Sequence, residues 1–342
     1  MIIKKPPTIR TRRLQLGITE SCDSKCVYCN FWKLKEPNYL SINDLEKLFS
    51  TIDLKNINLI AITGGEPTEH PEIEKLIEYV FKRSGIKLLL STNCLDIPRL
   101  EGILAKTGSC LSTLSTSLDG PEHIHDLNRG VKGAFKNVMK GIGLAEHHNL
   151  QVKLAMTVLR SNIDQIPLML EKYGDSTLDV KHIYTSQYYY GVNTEKKSMK
   201  HRNIAEELYW HLRNHYSHND VTNLYNFYNA IYVMHGVRPM CTISLDELFV
   251  FPNKIVFACY QKEPLINLDT LNAEDFEKAR INFIHKYSSC NDCFGRCGSS
   301  VVEVYKPYYM KVAREIQAGW ILGKEFPERD LFDKIKNPES FE

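Results

Sequence analysis

The sequence predicts an α/β protein, a partial (β/α)6 barrel followed by a small cysteine-rich C-terminal unit. Six apolar segments of strand length alternate with helical patterns through the first half of the chain. Polar and glycine-containing motifs follow these segments, where the loops of a parallel α/β sheet carry ligand-binding groups. Eight of the ten cysteines fall in two clusters, one near the start and one in the last third.

The alternation of strands and helices defines the predicted barrel. The segments that we interpret as strands lie near 14–18, 58–63, 87–92, 113–118, 152–158 and 181–185. The helical patterns lie near 41–50, 71–83, 97–107, 131–148 and 162–173. Such alternation implies a parallel sheet, and six units fall short of the eight that close a barrel.

The length of the chain favours more than one unit. With 342 residues it exceeds the size at which a single core usually stops growing. The predicted regions are the barrel (1–190), a helical aromatic-rich connector (191–238), the cysteine-rich domain (239–303), and a C-terminal helix and tail (304–342).

Charge and hydropathy exclude several classes of protein. The 43 Lys and Arg residues nearly balance the 41 Asp and Glu residues, and this net charge of +2 gives no broad basic field for nucleic acid. No apolar run approaches the roughly 18–20 residues of a membrane helix. The basic first 19 residues contain no signal-peptide apolar stretch, so we expect a cytoplasmic protein. Because disulfides are rare in that compartment, we expect its cysteines to bind metal.

The first cysteine cluster is a C-x3-C-x2-C loop, with Cys22, Cys26 and Cys29 directly after the first predicted strand. A structural zinc site takes four closed ligands. A [4Fe-4S] cluster held by three thiolates keeps one iron open for a further ligand. Both kinds of site remain open from the spacing alone.

With Tyr28 before the last cysteine and Gly64-Gly65-Glu66-Pro67 after the second predicted strand, the sequence resembles the radical S-adenosylmethionine (SAM) enzymes. The order of motifs is similar to that of the branch with molybdenum-cofactor and peptide-modifying members, and the resemblance covers roughly 14–190. It implies a [4Fe-4S] cluster on the three cysteines, with SAM bound at the open iron.

The resemblance also implies the residues that contact SAM. Further motifs keep the same order as in the family. Ser91-Thr92-Asn93 and Ser117-Leu118-Asp119-Gly120 end later strands, Asn128-Arg129-Gly130 precedes a helix, and Thr157 and Asn162 flank the end of the fifth strand. The implied SAM-binding residues are Tyr28, Gly64, Gly65, Glu66, Thr92, Ser117, Arg129 and Thr157. The alternative is ordinary strand-to-helix capping by Ser117 and Asp119, and a solvated loop charge at Arg129.

The second cluster of cysteines follows the connector. Its members are Cys241, Cys259, Cys290, Cys293 and Cys297. A hairpin over 248–258 would bring Cys241 and Cys259 together. The layout resembles the twitch domain, a shortened SPASM domain with one auxiliary [4Fe-4S] cluster. Five cysteines compete for four positions, which the spacing leaves open, and a four-cysteine zinc site is the alternative.

The hairpin turn departs from the family pattern. The family usually has Gly at the turn, and this chain has Lys254 there. We expect Asn253 to supply the positive φ instead. Cys94, after the third strand, is either a thiol at the barrel mouth or an ordinary buried cysteine.

The resemblance implies an activity. The reduced first cluster would cleave SAM to methionine and a 5′-deoxyadenosyl radical, which abstracts a substrate hydrogen atom. With the auxiliary cluster, we expect oxidative modification of a small biosynthetic molecule, and a flavodoxin or ferredoxin as reductant. One alternative is a peptide maturase, although Cys22 leaves no room for the leader-binding domain that such enzymes often carry. The other is a non-enzymatic zinc protein.

Overall fold

A computed structural model of the protein describes residues 11–159, 161–174, 178–182, 247–259 and 262–287. These residues all belong to the same compact unit. The predicted connector, the C-terminal helix and tail, and Cys241, Cys290, Cys293 and Cys297 lie outside them. In the described ranges, no helix has the length and apolarity to cross a membrane.

One sheet organises the described residues. Its strands are β1 (Arg13–Thr19), β2 (Leu59–Gly64), β3 (Leu88–Thr92), β4 (Leu111–Ser117), β5 (Gln151–Val158), β6 (Leu178–His182), β7 (Glu247–Val250), β8 (Ile255–Phe257) and β9 (Ile266–Asn267). Their order is β6-β5-β4-β3-β2-β1-β7-β8-β9. Strands β1 to β6 are parallel neighbours in chain order, which confirms the mostly parallel α/β fold.

Helices connect the parallel strands. They are α1 (Ile42–Thr51), α2 (Ile73–Ser84), α3 (Ile97–Thr107), α4 (Glu122–Arg129), α5 (Ala134–His147), α6 (Ile166–Tyr173) and, after the hairpin, α7 (Ala273–Lys286). Ser41 and Asp44 form a capping box that fixes the start of α1. Apolar strand residues such as Leu14, Leu16, Ile60 and Ile62 are fully buried, as the continuous apolar strands of a parallel sheet require.

Two boundaries differ from the sequence prediction. The helical pattern predicted over 131–148 begins only at Ala134, and the separate helix α4 precedes it. Helix α4 buries His125, Asn128 and Arg129 and leaves Leu127 64% exposed, so its buried face has no apolar pattern. Strand β6 begins three residues before the predicted segment 181–185, and its described part ends at His182.

The predicted hairpin is present, and its turn corrects one expectation. Strands β7 and β8 pair antiparallel. Lys254 itself adopts the positive φ of 66°, so the expectation for Asn253 was wrong. The Lys254 ammonium lies 3.2 Å from Asp44 Oδ1 and 3.3 Å from Asp269 Oδ1, and these contacts hold the unusual backbone in place.

The hairpin belongs to the same sheet as the parallel strands. Strand β7 pairs parallel with β1, with Leu14 opposite Leu248 and Leu16 opposite Val250. We predicted the hairpin as part of a separate domain starting at 239. Its described strands instead extend the sheet beyond β1, the strand that leads into the first cysteine loop.

Candidate functional site

The first cysteine loop lies at the carboxyl end of β1 and is tied to the end of α4. The backbone N–H groups of Lys25 and Val27 donate to the carbonyl oxygens of Arg129 and Asn128, both at 3.0 Å. Cys26 is 8% exposed, whereas the side chains of Cys22 and Cys29 are half-buried. The loop therefore presents three thiols on a backbone that the chain itself holds in place.

The Gly64-Gly65 pair contacts the chain that enters this loop. Gly65 N–H donates to the Thr19 carbonyl at 2.7 Å, and Glu66 N–H donates to the Ser21 carbonyl at 2.7 Å. A Cβ atom at Gly65 would lie 2.2 Å from the Ser21 carbonyl oxygen. Both glycines are thus required by a close approach of backbone to backbone.

Gly130 makes a second contact of the same kind. Its φ is +66°, and a Cβ atom there would lie 2.3 Å from the Lys25 carbonyl oxygen. Glycine is therefore needed on both sides of the loop, one position at the end of β2 and the other at the end of α4.

The Glu66 carboxylate links the ends of β2 and β3. Its Oε1 accepts from the backbone N–H and the hydroxyl of Thr68, at 3.1 and 2.9 Å, and its Oε2 accepts from Asn93 N–H at 2.6 Å. The Asn93 amide in turn donates to Asp23 Oδ1 of the cysteine loop at 2.7 Å. Burial raises the pKa of Glu66 to about 7.

Arg129 and Asp119 form a buried ion pair below the loop. Arg129 Nη2 donates to Asp119 Oδ1 at 2.7 Å, and Nε lies 2.7 Å from Oδ2, off the axis of a good hydrogen bond. The guanidinium also lies 5.4 Å from the centroid of the Tyr28 ring, and Nη1 lies 3.8 Å from Cys26 Sγ. The sequence predicted Arg129 as a site residue, and the structure places it against a cysteine.

Thr157 and Tyr28 join this network. Asp119 Oδ1 accepts from Thr157 N–H at 2.9 Å, and the Tyr28 hydroxyl lies 3.5 Å from Thr157 Oγ1. Asn162 donates to the carbonyls of Asp119 and Thr157, each at 2.8 Å. Burial raises the pKa of Tyr28, so its phenol stays protonated.

Sequence reasoning missed the roles of Asp119, Asn162 and Ser24. Asp119 is fully buried and bonds to groups from two other elements, and the sequence suggested only a cap. Ser24 Oγ lies 3.1 Å from Cys26 Sγ and 3.2 Å from the Arg129 carbonyl oxygen. Only the strand-end position of Asp119 could have indicated such a role, because its partners are distant in sequence.

The remaining predicted SAM-binding residues lie at the carboxyl ends of successive strands. Thr92 ends β3 and is buried, with its hydroxyl accepting from Cys94 N–H at 3.1 Å. Ser117 ends β4, and Thr157 lies one residue before the end of β5. The side chains of Ser117 and Thr157 are half-buried. Parallel α/β folds bind ligands at this edge.

The acidity of the thiols bears on metal binding. Burial, the largest effect, raises the pKa of Cys22 above its ordinary value and that of Cys29 to about 11. Both thiols are therefore neutral at pH 7 unless a metal stabilises the thiolate.

Among the residues that the structure describes, no three His, Cys, Asp or Glu side chains converge as the ligands of a single metal ion would. In a [4Fe-4S] cluster each thiolate binds a different iron atom, so a cluster does not require that convergence. The donor set of three cysteines on one loop fits such a cluster.

Cys94 is a buried structural residue. It is 1% exposed and adopts a positive φ of 60°. Its Sγ lies 2.5 Å from where a Cβ atom would stand at Gly141 of α5, so the thiol occupies the space that this glycine leaves. This placement agrees with the second of the two interpretations from the sequence. Of the second cysteine field, the described ranges include only Cys259, which is buried after β8.

Comparison with known proteins shows which family of sequences the described domain matches. The family model of the Radical SAM superfamily matches residues 16–172. The chain is 30% identical over 181 residues to the GTP 3′,8-cyclase of Rhizobium etli (strain CIAT 652), covering 50% of this chain and 51% of that protein. It is 31% identical over 163 residues to the subtilosin biosynthesis protein AlbA of Bacillus subtilis (strain 168), covering 46% of this chain and 36% of AlbA.

Solved structures extend the likeness in fold. Streptococcus suis SuiB bound to precursor peptide SuiA has a TM-score of 0.56 and 16% identity, and the match covers 78% of this chain and 64% of SuiB. SuiB has also been solved bound to S-adenosylmethionine. The chain spans about half or less of the length of the two curated relatives.

The matched range contains the cysteine loop and the strand ends described above. Residues 16–172 therefore form a radical SAM domain, similar in sequence to the corresponding part of these enzymes. The match to a family of enzymes favours an enzyme over the alternative of a non-enzymatic zinc protein.

Proposed function

We propose that Cys22, Cys26 and Cys29 hold a [4Fe-4S] cluster and that SAM binds beside it at the carboxyl ends of the strands. The proposal rests on one observation, that backbone contacts from β2 and α4 hold a three-cysteine loop at this edge. When bound, the reduced cluster supplies the electron that cleaves SAM to methionine and a 5′-deoxyadenosyl radical.

The residues of the chain bind and orient the cofactor in this proposal. The backbone of Gly64 and Gly65 and the strand-end side chains of Thr92, Ser117 and Thr157 contact SAM. Both carboxylate oxygens of Glu66 already accept hydrogen bonds from the protein. Glu66 therefore acts by holding the ends of β2 and β3 together. The buried phenol of Tyr28 packs behind the loop and keeps water from it.

The leading substrate class is a small biosynthetic molecule whose C–H bond yields a hydrogen atom. The support is the 30% identity to a GTP 3′,8-cyclase over half of the chain. A second, auxiliary [4Fe-4S] cluster, held by Cys259 and cysteines outside the described residues, would accept the electron that an oxidative modification releases. A flavodoxin or ferredoxin would reduce the first cluster.

A peptide substrate is the second candidate. Its support is the likeness to AlbA, which serves subtilosin biosynthesis, and the fold of SuiB, which was solved with a precursor peptide. Comparing small metabolites and short peptides by mass spectrometry, in cells with and without the gene, separates the two candidates. A modified peptide would replace the small-molecule proposal.

Anaerobic reconstitution tests the proposed activity. The wild-type chain should bind about eight irons, about four for each cluster, and form 5′-deoxyadenosine with dithionite and SAM. Cys26→Ala should abolish this product, because it removes a ligand of the first cluster. Cys259→Ala should leave about four irons and retain SAM cleavage.

Cys110→Ala is the matched control for these variants. Cys110 is buried at the end of α3, away from the cysteine loop, so its loss should leave iron content and product unchanged. Full turnover by Cys26→Ala, or a colourless zinc-containing wild-type protein, would contradict the proposed function.

A further inference from the structure

The three cysteines of the loop have different polar neighbours. Burial raises the pKa of both Cys22 and Cys29, and this effect is opposed by the backbone N–H of Ser24 at Cys22 and by those of Phe31 and Asn30 at Cys29. These donors are neutral. Cys26 instead lies 3.8 Å from Arg129 Nη1, a charged donor within hydrogen-bonding reach of a sulfur atom.

Arg129 is held in this position by its surroundings. The side chain is 8% exposed, its other nitrogens face the Asp119 carboxylate, and its guanidinium lies against the Tyr28 ring. A buried guanidinium requires a paired carboxylate, and Asp119 provides it without contacting the thiol. The pair therefore leaves Nη1 directed at Cys26.

The backbone of the loop has few donors left for this cysteine. The N–H groups of Lys25 and Val27, on either side of Cys26, donate to the carbonyl oxygens at the end of α4. The Ser24 hydroxyl, a neutral group, lies 3.1 Å from Cys26 Sγ. Arg129 is thus the charged contact of this ligand.

We propose that Arg129 is a positioning residue for electron transfer, which raises the reduction potential of the first cluster through its hydrogen bond to Cys26. The inference rests on the proposed function. One-electron reduction of the cluster by an external donor adds one negative charge, and a fixed positive charge beside a ligand sulfur favours that form. This role differs from the contact with SAM that the family resemblance implied.

The test is the midpoint potential of the first cluster, measured without SAM by EPR-monitored titration in a Cys259→Ala background. Arg129→Gln should lower the ratio of reduced to oxidised cluster at a fixed potential about tenfold, which is a shift of about 59 mV for one electron. Arg129→Lys, which keeps the charge, should recover part of this shift.

Two further variants control for the fold. Arg99→Gln breaks another arginine–carboxylate pair, in which Arg99 Nη1 lies 2.8 Å from Glu74 Oε1, and should leave the potential unchanged. Arg129→Gln combined with Asp119→Asn removes the ion pair without leaving an unpaired buried carboxylate. It should also show a lowered potential, although by less than Arg129→Gln because the negative charge of Asp119 is removed as well, and it tests the role even where the single variant fails to fold.

The outcomes separate the two proposals. An unchanged potential in the single or double variant would overturn the role of Arg129. Weaker SAM binding by the same variant would then favour a contact with SAM. Absence of a [4Fe-4S] EPR signal from the reduced Cys259→Ala protein would instead overturn the proposed function itself.

Discussion

The glycines on either side of the cysteine loop show how single residues decide the geometry of the site. At Gly65 and Gly130 the neighbouring atom is a carbonyl oxygen of the loop or of the chain entering it. A backbone oxygen cannot rotate away as a side chain can. Any larger residue at these positions must therefore displace the loop.

Gly65→Ala tests this requirement. We expect the free energy of unfolding to fall by about 1–3 kcal/mol, because the new methyl group overlaps the Ser21 carbonyl. Urea denaturation of the metal-free protein measures the change. Gly143→Ala in α5 is the control, since nothing lies within 4 Å of its Cβ position, and it should stabilise the protein by about 0.5–1 kcal/mol. Equal effects of the two variants would contradict the close-approach interpretation.

His125 makes the stability of the domain sensitive to acid. Its Nδ1 accepts from Asp119 N–H at 3.1 Å, and burial lowers its pKa from 6.5 to about 4. Between these two values the unfolded chain binds the proton and the folded chain does not. Stability is therefore complete above pH 6.5 and falls as the pH drops toward 4, by up to about 3 kcal/mol.

The measurement is the free energy of unfolding in urea at several pH values. His125→Asn keeps an acceptor for Asp119 N–H and lacks the titrating ring, so it should lose most of the slope between pH 4 and 6.5. His123→Asn, on the exposed side of the same helix, should keep the wild-type slope. Identical slopes in both variants would show that other groups cause the acid sensitivity.

At the scale of secondary structure, the hairpin and α4 support the cysteine loop from two directions. Strand β7 lies beside β1, and the end of α4 accepts hydrogen bonds from the loop. Neither role follows from local sequence patterns. A hairpin has the same sequence pattern whether it joins this sheet or forms part of a separate domain. Helix α4 buries polar side chains, so its sequence shows no apolar stripe.

Leu248→Ala tests whether the hairpin is part of the domain core. Leu248 is fully buried and lies opposite Leu14 of β1, so the substitution should cost about 2–5 kcal/mol of stability and reduce the hydrogen-exchange protection of β1. The control is Ile281→Ala on the exposed face of α7, with an expected change within about 0.5 kcal/mol. Loss of protection confined to the hairpin would mean that it folds as a separate unit.

At the scale of the whole molecule, patterns that are regular along the chain were predictable, and contacts between distant segments were not. The apolar segments and their spacing predicted the six parallel strands, and the spacing of Cys22, Cys26 and Cys29 predicted the cysteine loop. The pairing of Arg129 with Asp119, and the contact of Gly65 with Ser21, join elements whose relative position depends on the folded sheet. A positive φ at Lys254 depends on two aspartates elsewhere in the chain.

The backbone contacts on the two sides of the cysteine loop have a consequence for how the proposed cluster would be lost and rebuilt. They are backbone hydrogen bonds, so in the proposed function the entropy of closing this loop would be lost when these bonds form during folding and not when iron binds. A zinc finger, by contrast, loses its fold with its metal. If the loop holds the proposed cluster, oxidative loss of iron would leave these backbone contacts in place, and rebuilding the cluster would need iron and sulfide without refolding.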